Sequence, residues 1–272
     1  MKKRILLFFV VAIATTCSIM FIRYKVIGPS FTVEWHPITL QTYEAMRPTF
    51  DVLHNVFVEA FVPLVKPDIY KHNPRLVNLP AEKRPFAEQK VVAGITTSLQ
   101  SEWSKKIDRL YADLQSNRIP AAYVAIAKDC HHNVLGFALF VEESMQDNLD
   151  SRLLTVIEGS CDKITPLHSE HDEAFTSLLA IRPDAQQKGI GRALLFSILN
   201  YCPHIKKIYL TTSASDSNKR TQGFYEHVGF TRILKGMFAV SEDASDFERA
   251  GKIVYMYQKN STLAHARKAA AK

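Results

Sequence analysis

Cysteine is scarce in this sequence, and its few copies are scattered. The 272 residues include four cysteines, and no two of them form a CxxC pair. The pattern excludes a disulfide framework and a cysteine-ligated zinc site, and it predicts reduced, structural thiols and no bound metal. The four are Cys17, Cys130, Cys161 and Cys202.

The sequence also lacks a basic face outside its two ends. Of the formal net charge of +7, residues 1–25 carry +5 and residues 260–272 carry +3, which leaves −1 for the chain between them. Nucleic-acid binding needs clustered positive charge, so we expect no nucleic-acid partner. We divide the chain into an N-terminal segment (1–25), a globular domain (31–259) and a basic tail (260–272).

Residues 5–22 form an 18-residue apolar run without a charge, flanked by basic residues on both sides. A membrane-spanning helix needs about 20 apolar residues, so we expect a single N-terminal membrane anchor. A cleaved signal peptide is the alternative, because Ala12–Ala14 offers a small-x-small cleavage site, and the domain would then be exported. A buried core helix is a third reading, which the flanking charges disfavour.

The charges that flank the apolar run bear on the orientation of such an anchor. Three basic residues precede the run and two follow it, which favours an N-terminus inside and an exported domain. The difference in charge is small, so both orientations stay open.

Hydrophobic periodicity predicts a mixed α/β domain. Pro63, Pro67, Pro74, Pro80 and Pro85 mark residues 62–85 as a long loop, and residues 144–170 show no clear pattern. The predicted order is β–α–α–β–β–β–α–β–α–β–β, a mixed sheet with helices on both faces. The predicted strands cover residues 30–40, 121–129, 133–143, 174–181, 205–213, 230–240 and 251–259, and the helices cover 47–62, 86–117, 191–202 and 217–229.

A short polar segment, QQKGIG at residues 186–191, joins a predicted strand to a predicted helix; we call it the glycine turn. Gly189 and Gly191 permit a close approach of a ligand to the main chain, and the following helix begins with unpaired N–H groups that suit a phosphate. A plain turn explains the residues equally well. A P-loop is excluded because GK[ST] is missing, and a dinucleotide fingerprint lacks its third glycine.

A second stretch changes this balance. The pattern Q/R-x-x-G-x-G/A after a strand, followed one strand later by NKRTQGFYEHVGF at residues 218–230, resembles the GNAT acyltransferase superfamily. The resemblance covers roughly residues 31–259. Thr221 departs from the family pattern, which has a small alanine there.

The resemblance implies the GNAT fold, a mostly antiparallel sheet with one splayed parallel strand pair, and it implies acetyl-CoA as co-substrate. The pyrophosphate would lie on the main chain of the glycine turn. The pantetheine would pair with the main chain near Leu179 and Ile181, where a backbone N–H could also stabilise the oxyanion. The implied co-substrate-binding residues are Leu179, Ile181, Gln186, Gln187, Lys188, Gly189, Ile190, Gly191, Arg192 and Asn218.

The implied reaction is direct attack of a primary amine on the thioester. Tyr225 aligns with the family's usual acid near the sulfur; a packing role is the alternative. Strand alternation places Glu173 on one face with Phe175, Ser177 and Leu179. Some members of the family carry a basic carboxylate on this strand, so the resemblance makes Glu173 the first candidate for the base. His171 is the second candidate, because the pKa of histidine suits the role. A solvated acidic loop or a chain of waters is also compatible with these residues.

Three classes of function remain open. The first is an acyl-CoA-dependent N-acyltransferase acting on a small-molecule or peptide amine. The second is a GNAT-fold module that binds acyl-CoA without turnover, as a sensor or scaffold. The third is a membrane-tethered protein that binds partners through the proline-rich loop.

Overall fold

The computed structural model describes residues 30–72, 76, 78–145, 147–148, 153–159, 172–215, 218–238 and 251–259. They form one eight-stranded sheet in the order β1-β2-β3-β5-β6-β8-β7-β4. Every neighbouring pair is antiparallel except β5 and β6, which run parallel. The strands are β1 (Thr32–Ile38), β2 (Ala122–Lys128), β3 (Val134–Glu142), β4 (Leu153–Gly159), β5 (Glu173–Ile181), β6 (Lys207–Ser213), β7 (Thr231–Phe238) and β8 (Lys252–Gln258).

Within the described ranges, four α-helices with defined bounds cover the two faces of this sheet. They are α1 (Leu40–His72), α2 (Arg84–Gln115), α3 (Ile190–Tyr201) and α4 (Lys219–His227). The predicted mixed, mostly antiparallel sheet with helices on both faces is therefore confirmed.

The first face carries the helix pair α1 and α2. Apolar residues recur along α2 at spacings of three and four, and their side chains are buried against α1 and the sheet. Trp103 is the centre of this packing, with its ring edge-on to Phe137 of β3 at 5.7 Å and tilted against Phe57 of α1 at 5.6 Å. Such burial of aromatic rings supplies much of the apolar area that stabilises a domain.

The second face carries α3 and α4. Strand alternation turns Ala125, Ala127 and Ala138 toward this face, while their neighbours Val124, Ile126 and Phe137 face the helix pair. Leu194 and Leu195 of α3 and Tyr225 of α4 complete the apolar cluster. The two stretches that carry the resemblance, the glycine turn before α3 and residues 218–230 around α4, thus lead to helices on the same face of the sheet.

The predicted loop at residues 62–85 is too long, because α1 continues to His72 and α2 begins at Arg84. Proline disfavours a helix interior, since its ring removes an N–H donor. The exposed side of α1 accommodates it: Pro48 and Pro63 face solvent, while Phe57 and Ala60 are buried. Packing of the apolar side outweighs the loss of single hydrogen bonds at solvent-facing positions.

Strand β4 is an element that the sequence does not predict, since residues 144–170 show no pattern. It pairs with β7 through two register irregularities at the edge of the sheet. All but the first of its residues are exposed, so the alternation that marks a half-buried strand is missing.

Candidate functional site

Strand β5 has a β-bulge in its pairing with β3, at the point where its pairing with β6 ends. On the β3 side, Leu139 pairs with Leu178 and the next residue, Phe140, pairs with Thr176, so Ser177 is an extra residue. On the other side, the parallel pairing with β6 covers only Glu173 to Thr176 and ends at the same point. Because a bulge bends its strand and increases the local twist, the bulge explains why a gap opens between β5 and β6 beyond Thr176.

The main chain of β5 faces this gap at the two predicted positions. The Arg182 N–H donates to the Leu135 carbonyl at 2.9 Å, which fixes the hydrogen-bonded pairs of the β3–β5 ladder. By antiparallel geometry Ile181 and Leu179 are then non-hydrogen-bonded positions, whose N–H and C=O groups point away from β3. They point toward the gap, where an extended ligand can pair with them as an added strand.

The bulge also corrects the predicted face of the strand. Phe175 packs with Tyr209 and Val254, whereas Leu179 packs against the cluster beneath α3 and α4. Phe175 and Leu179 therefore lie on opposite faces, because the extra residue at Ser177 reverses the alternation.

The glycine turn lies at the open end of the gap. A 3₁₀ turn at Pro183–Ala185 leads into Gln187 and Gly189, which have φ angles of 63° and 80°. The Ala193 N–H donates to the Gly189 carbonyl at 3.0 Å as the first bond of α3. Within the described residues, no backbone hydrogen bond outside the helix uses an N–H of residues 187–192. Free N–H groups and the positive end of the helix dipole make an anion site.

The two glycines of this turn have different structural reasons. Gly189 has a positive φ, and a Cβ added there would meet nothing within 4 Å, so glycine serves the backbone conformation and leaves open space. A Cβ on Gly191 would lie 2.8 Å from Cδ1 of Ile181 and 3.1 Å from Cζ of Phe224. Gly191 thus lets α3 pack closely on β5 and α4, which holds the first turn of α3 beside the gap.

Two hollows in the surface border the glycine turn. Gln186 donates through Nε2 to the Ile181 carbonyl at 3.3 Å, while Lys188 and Arg192 are exposed. One hollow, of about 430 Å³, lies between α1, the glycine turn and Arg220 of α4. The other, of about 600 Å³, includes Gly189 and Arg192. The positively charged side chains of Lys188, Arg192 and Arg220 therefore lie near the turn, where their charge can favour a bound anion.

Helix α1 forms a wall of the first hollow, and an ion pair ties it to the end of β5. The Arg182 Nε lies 3.4 Å from Oε2 of Glu59 on α1, and its Nη2 lies 3.2 Å from Oδ2 of Asp184. Ala60, Pro63 and Leu64 of α1 then line the hollow. Ala60 lies in the helix predicted at residues 47–62, whereas the prolines predict a loop for Pro63 and Leu64, so the sequence does not indicate that the wall is one continuous helix.

Tyr225 is buried on α4 among aromatic rings. The ring centroids of Phe224, Phe230 and Tyr255 lie 5.4, 5.9 and 5.7 Å away. Burial raises the pKa of the Tyr225 phenol above its ordinary value, with a smaller contribution from Tyr255. The phenol therefore keeps its proton at neutral pH and can donate a hydrogen bond.

Asn218 connects the start of α4 to the end of β6. Its Nδ2 donates to Oγ1 of Thr212 at 2.6 Å and to the Ser213 carbonyl at 3.0 Å. Both amide hydrogens are thereby used, so only the Oδ1 acceptor is left for a ligand. Gln222 donates to the same Ser213 carbonyl at 3.0 Å. The pair holds α4, and hence Tyr225, against the strand that borders the gap.

Glu173, the first candidate base, lies at the closed end of the β5–β6 pair. Its Oε1 accepts from Nζ of Lys207 and its Oε2 from the Met145 N–H, both at 2.7 Å. The carboxylate keeps lone pairs for one more donor, and its side chain is 17% exposed. The other candidate, His171, lies outside the described residues.

The hydroxyl of Thr176 is a feature that sequence reasoning missed. Thr176 is buried, and its Oγ1 has no hydrogen-bond partner within the described part of the chain. Leaving a buried hydroxyl unpaired costs about 1–3 kcal/mol. Nothing in the sequence marks it, because the missing partner is a property of the folded neighbourhood.

The described residues contain no group of three or more His, Cys, Asp or Glu placed to hold a metal ion. Cys130 and Cys202, the cysteines within those ranges, are free thiols. No helix in the same ranges is long and apolar enough to cross a membrane; the predicted anchor at residues 5–22 lies outside them.

Comparison with solved structures gives matches at low sequence identity. A protein assigned to the GNAT acetyltransferases from Desulfovibrio desulfuricans is 15% identical, with a TM-score of 0.44, and the match covers 84% of this chain and 99% of that one. The PaiA N-acetyltransferase from Thermoplasma acidophilum, solved with coenzyme A, is 14% identical over 84% and 99% of the two chains, with a TM-score of 0.42. Spermidine/spermine N-acetyltransferase SpeG from Vibrio cholerae is 18% identical over 59% and 79%, with a TM-score of 0.37.

No curated protein matches the sequence. The family model of the acetyltransferase (GNAT) family matches residues 89–230, which is just over half of the chain and includes β5, the glycine turn and α4. The chain therefore belongs to the GNAT acetyltransferase family.

Proposed function

We propose that this protein is an N-acetyltransferase that transfers the acetyl group of acetyl-CoA to a primary amine. The observation that carries the proposal is the gap between β5 and β6. It is lined by main-chain groups of Leu179 and Ile181 that point away from β3, and it opens onto the free N–H groups of the glycine turn. An anion site beside an unpaired strand edge suits a pyrophosphate that continues into an amide-bearing arm.

The co-substrate would be held by three kinds of contact. Main-chain N–H groups of Gln187 to Arg192 bind the pyrophosphate, and Lys188 and Arg192 add positive charge at the rim. The amides of the pantetheine pair with Leu179 and Ile181, once the Gln186 side chain has released the Ile181 carbonyl. Asn218 offers its free Oδ1 acceptor from the opposite side of the gap.

The reaction is a direct transfer. The neutral amine attacks the thioester carbon, the C–N bond forms, the C–S bond breaks, and CoA leaves as a thiolate. Tyr225 gives its proton to the thiolate, and the base takes the proton that the amine nitrogen loses. Glu173 is the proposed base, with His171 as the alternative, and the tyrosine recovers a proton from solvent.

The test is the release of CoA from acetyl-CoA with a panel of amines, for wild type, Tyr225→Phe and Tyr201→Phe. Tyr201 is an exposed tyrosine at the end of α3 and is the matched control. We expect Tyr225→Phe to lower kcat about 100-fold or more, as for loss of a general acid, while acetyl-CoA still binds. Tyr201→Phe should retain wild-type turnover.

Two results would contradict this assignment. Acetyl-CoA binding without turnover of any amine would identify a non-catalytic acyl-CoA-binding module. If the wild type is active and Tyr225→Phe retains full activity, Tyr225 is not the acid, while the assignment as a transferase still stands.

We further propose, from the sequence alone, that residues 5–22 attach the domain to a membrane. Protease protection on vesicles that carry the full chain tests the attachment and the side on which the domain lies. Recovery of the full-length chain in the soluble fraction would contradict an anchor, and a product shortened at residues 12–14 would indicate an exported form.

A further inference from the structure

Thr176 stands at the apex of the gap. It is the last residue of β5 that pairs with β6, opposite Leu210, and it is followed directly by the bulged Ser177. Its residue is 5% exposed, and its hydroxyl oxygen has no partner among the described residues. Buried polar groups are almost always paired, so an unpaired one in a folded protein calls for a physical reason.

The surroundings of this hydroxyl are apolar. Ala174, two residues earlier on the same face, and Phe140, the β3 partner of Thr176, belong to the cluster beneath α3 and α4. Leu210 and Tyr225 belong to the same cluster. Valine would fill this position with the same shape and without an unpaired oxygen, so the hydroxyl contributes nothing to the packing of the free protein.

The gap itself supplies a partner when it is filled. From Ile181, beside the glycine turn, to Thr176 is five residues of strand, which is about 16 Å. A ligand arm that begins at the turn and pairs with Ile181 and Leu179 ends at Thr176. Tyr225, the proposed acid, packs on the same face of the sheet.

We propose that the Thr176 hydroxyl donates a hydrogen bond to the carbonyl oxygen of the acyl thioester, and thereby acts as a catalytic residue. This inference rests on the proposed function. The hydroxyl keeps its proton throughout; it stabilises the negative charge that develops on the oxygen when the amine attacks. A fixed donor aimed at developing charge favours the transition state over the bound substrate.

The experiment compares Thr176→Val with Thr176→Ser. The valine keeps the shape and removes the donor, and the serine keeps the donor. We expect Thr176→Val to lower kcat at least 10-fold and to weaken acetyl-CoA binding while leaving the binding of free CoA, which has no carbonyl at this position, unchanged. Thr176→Ser should retain most of the turnover, and the melting temperature of Thr176→Val should be equal to or above that of wild type.

Three results would overturn the proposal. One is wild-type kcat and an unchanged ratio of acetyl-CoA to CoA affinity in Thr176→Val. Another is an equal loss of affinity for both ligands, which would place the contact elsewhere on CoA. The third is a lowered melting temperature of Thr176→Val, which would show that the hydroxyl serves the fold.

The proposed function can fail separately. Absence of turnover in wild type counts against the transferase, whereas the affinity ratio of acetyl-CoA to CoA in the two variants still decides the contact of Thr176 with the carbonyl.

Discussion

The carboxylate of Glu173 has two ties to the protein, and both influence how it can act. Lys207, 8% exposed, is its ionic partner across the β5–β6 pair, and the Met145 N–H binds its other oxygen. A buried charge that loses its partner costs about 3–5 kcal/mol. Substitution of either residue therefore affects stability, whatever role Glu173 has in proton transfer.

We expect Glu173→Gln and Lys207→Met each to lower the free energy of unfolding in urea, and Glu173→Gln to lower kcat much further. Only the first variant removes a group that can take the proton of the amine. Lys207→Met is the control for the lost ion pair. Equal losses of kcat in the two variants would give Glu173 a purely structural role.

The spacing of the motif indicated where in the fold several single residues lie, while their roles stay predictions. Gly189 directly precedes α3, Gly191 lies in its first turn, and Tyr225 lies on the face shared by α3 and α4. The spacing did not reveal that the side chains of Gln186 and Asn218 donate hydrogen bonds to other residues of the chain. It also did not reveal that the Thr176 hydroxyl has no partner among the described residues. Those facts depend on which atoms meet after folding, and no local pattern records them.

Helix α1 shows how an element can contradict its own composition. It contains Pro48, Pro63 and Pro67 between its ends and still runs from Leu40 to His72. Each proline costs about 3 kcal/mol in a helix interior relative to alanine. The helix persists because Pro48 and Pro63 face solvent and the apolar side is anchored by residues such as Phe57, which is 1% exposed.

We expect Pro63→Ala to stabilise the protein by about 1–2 kcal/mol. The substitution restores a donor for the Glu59 carbonyl, and part of the gain is lost because the unfolded chain becomes freer. Pro85→Ala is the control, because Pro85 lies in the first turn of α2, where no intrahelical donor is needed. Urea denaturation measures both; a destabilised Pro63→Ala would show that the fixed φ of proline outweighs the missing hydrogen bond.

The elements that the sequence predicted are those with a strong period. The α2 stripe, the β2–β3 hairpin and the β5–α3–β6 unit each show one, and the structure confirms them. The long reach of α1, the exposed edge strand β4 and the bulge at Ser177 were missed. Prolines interrupt the helical pattern of α1, and the uniform exposure of β4 removes the alternation that marks a strand. The bulge shifts the alternation of β5 by one residue without altering its composition.

At the scale of the whole molecule, buried phenols link folding to alkaline pH. Burial raises the pKa of Tyr43, Tyr123, Tyr225 and Tyr255, and for Tyr255 the value reaches about 12, with Glu226 adding to the shift. An unfolded tyrosine ionises near pH 10. Above that pH the unfolded chain binds fewer protons than the folded one, so stability falls as pH rises.

We expect ionisation of these tyrosines to leave the free energy of unfolding unchanged below about pH 10. The free energy of unfolding should then fall progressively as the pH rises toward 12. Tyr255→Phe should flatten this decline, at a neutral-pH cost of about 1 kcal/mol for its hydrogen bond to Glu226. Urea denaturation between pH 8 and pH 11.5, read with tyrosinate absorbance, measures both. The same alkaline slope in wild type and in Tyr255→Phe would exclude a role of this phenol.

The two central strands of the sheet, β5 and β6, pair over only a short length. Four residue pairs between β5 and β6 connect one half of the sheet to the other. If acetyl-CoA lies in the gap as an added strand, it extends that narrow join and acts as a splint across the molecule. Release of CoA then breaks the hydrogen bonds of this added strand as well as emptying a binding site. Departure of the product and loosening of the join between the two halves of the sheet would therefore occur together.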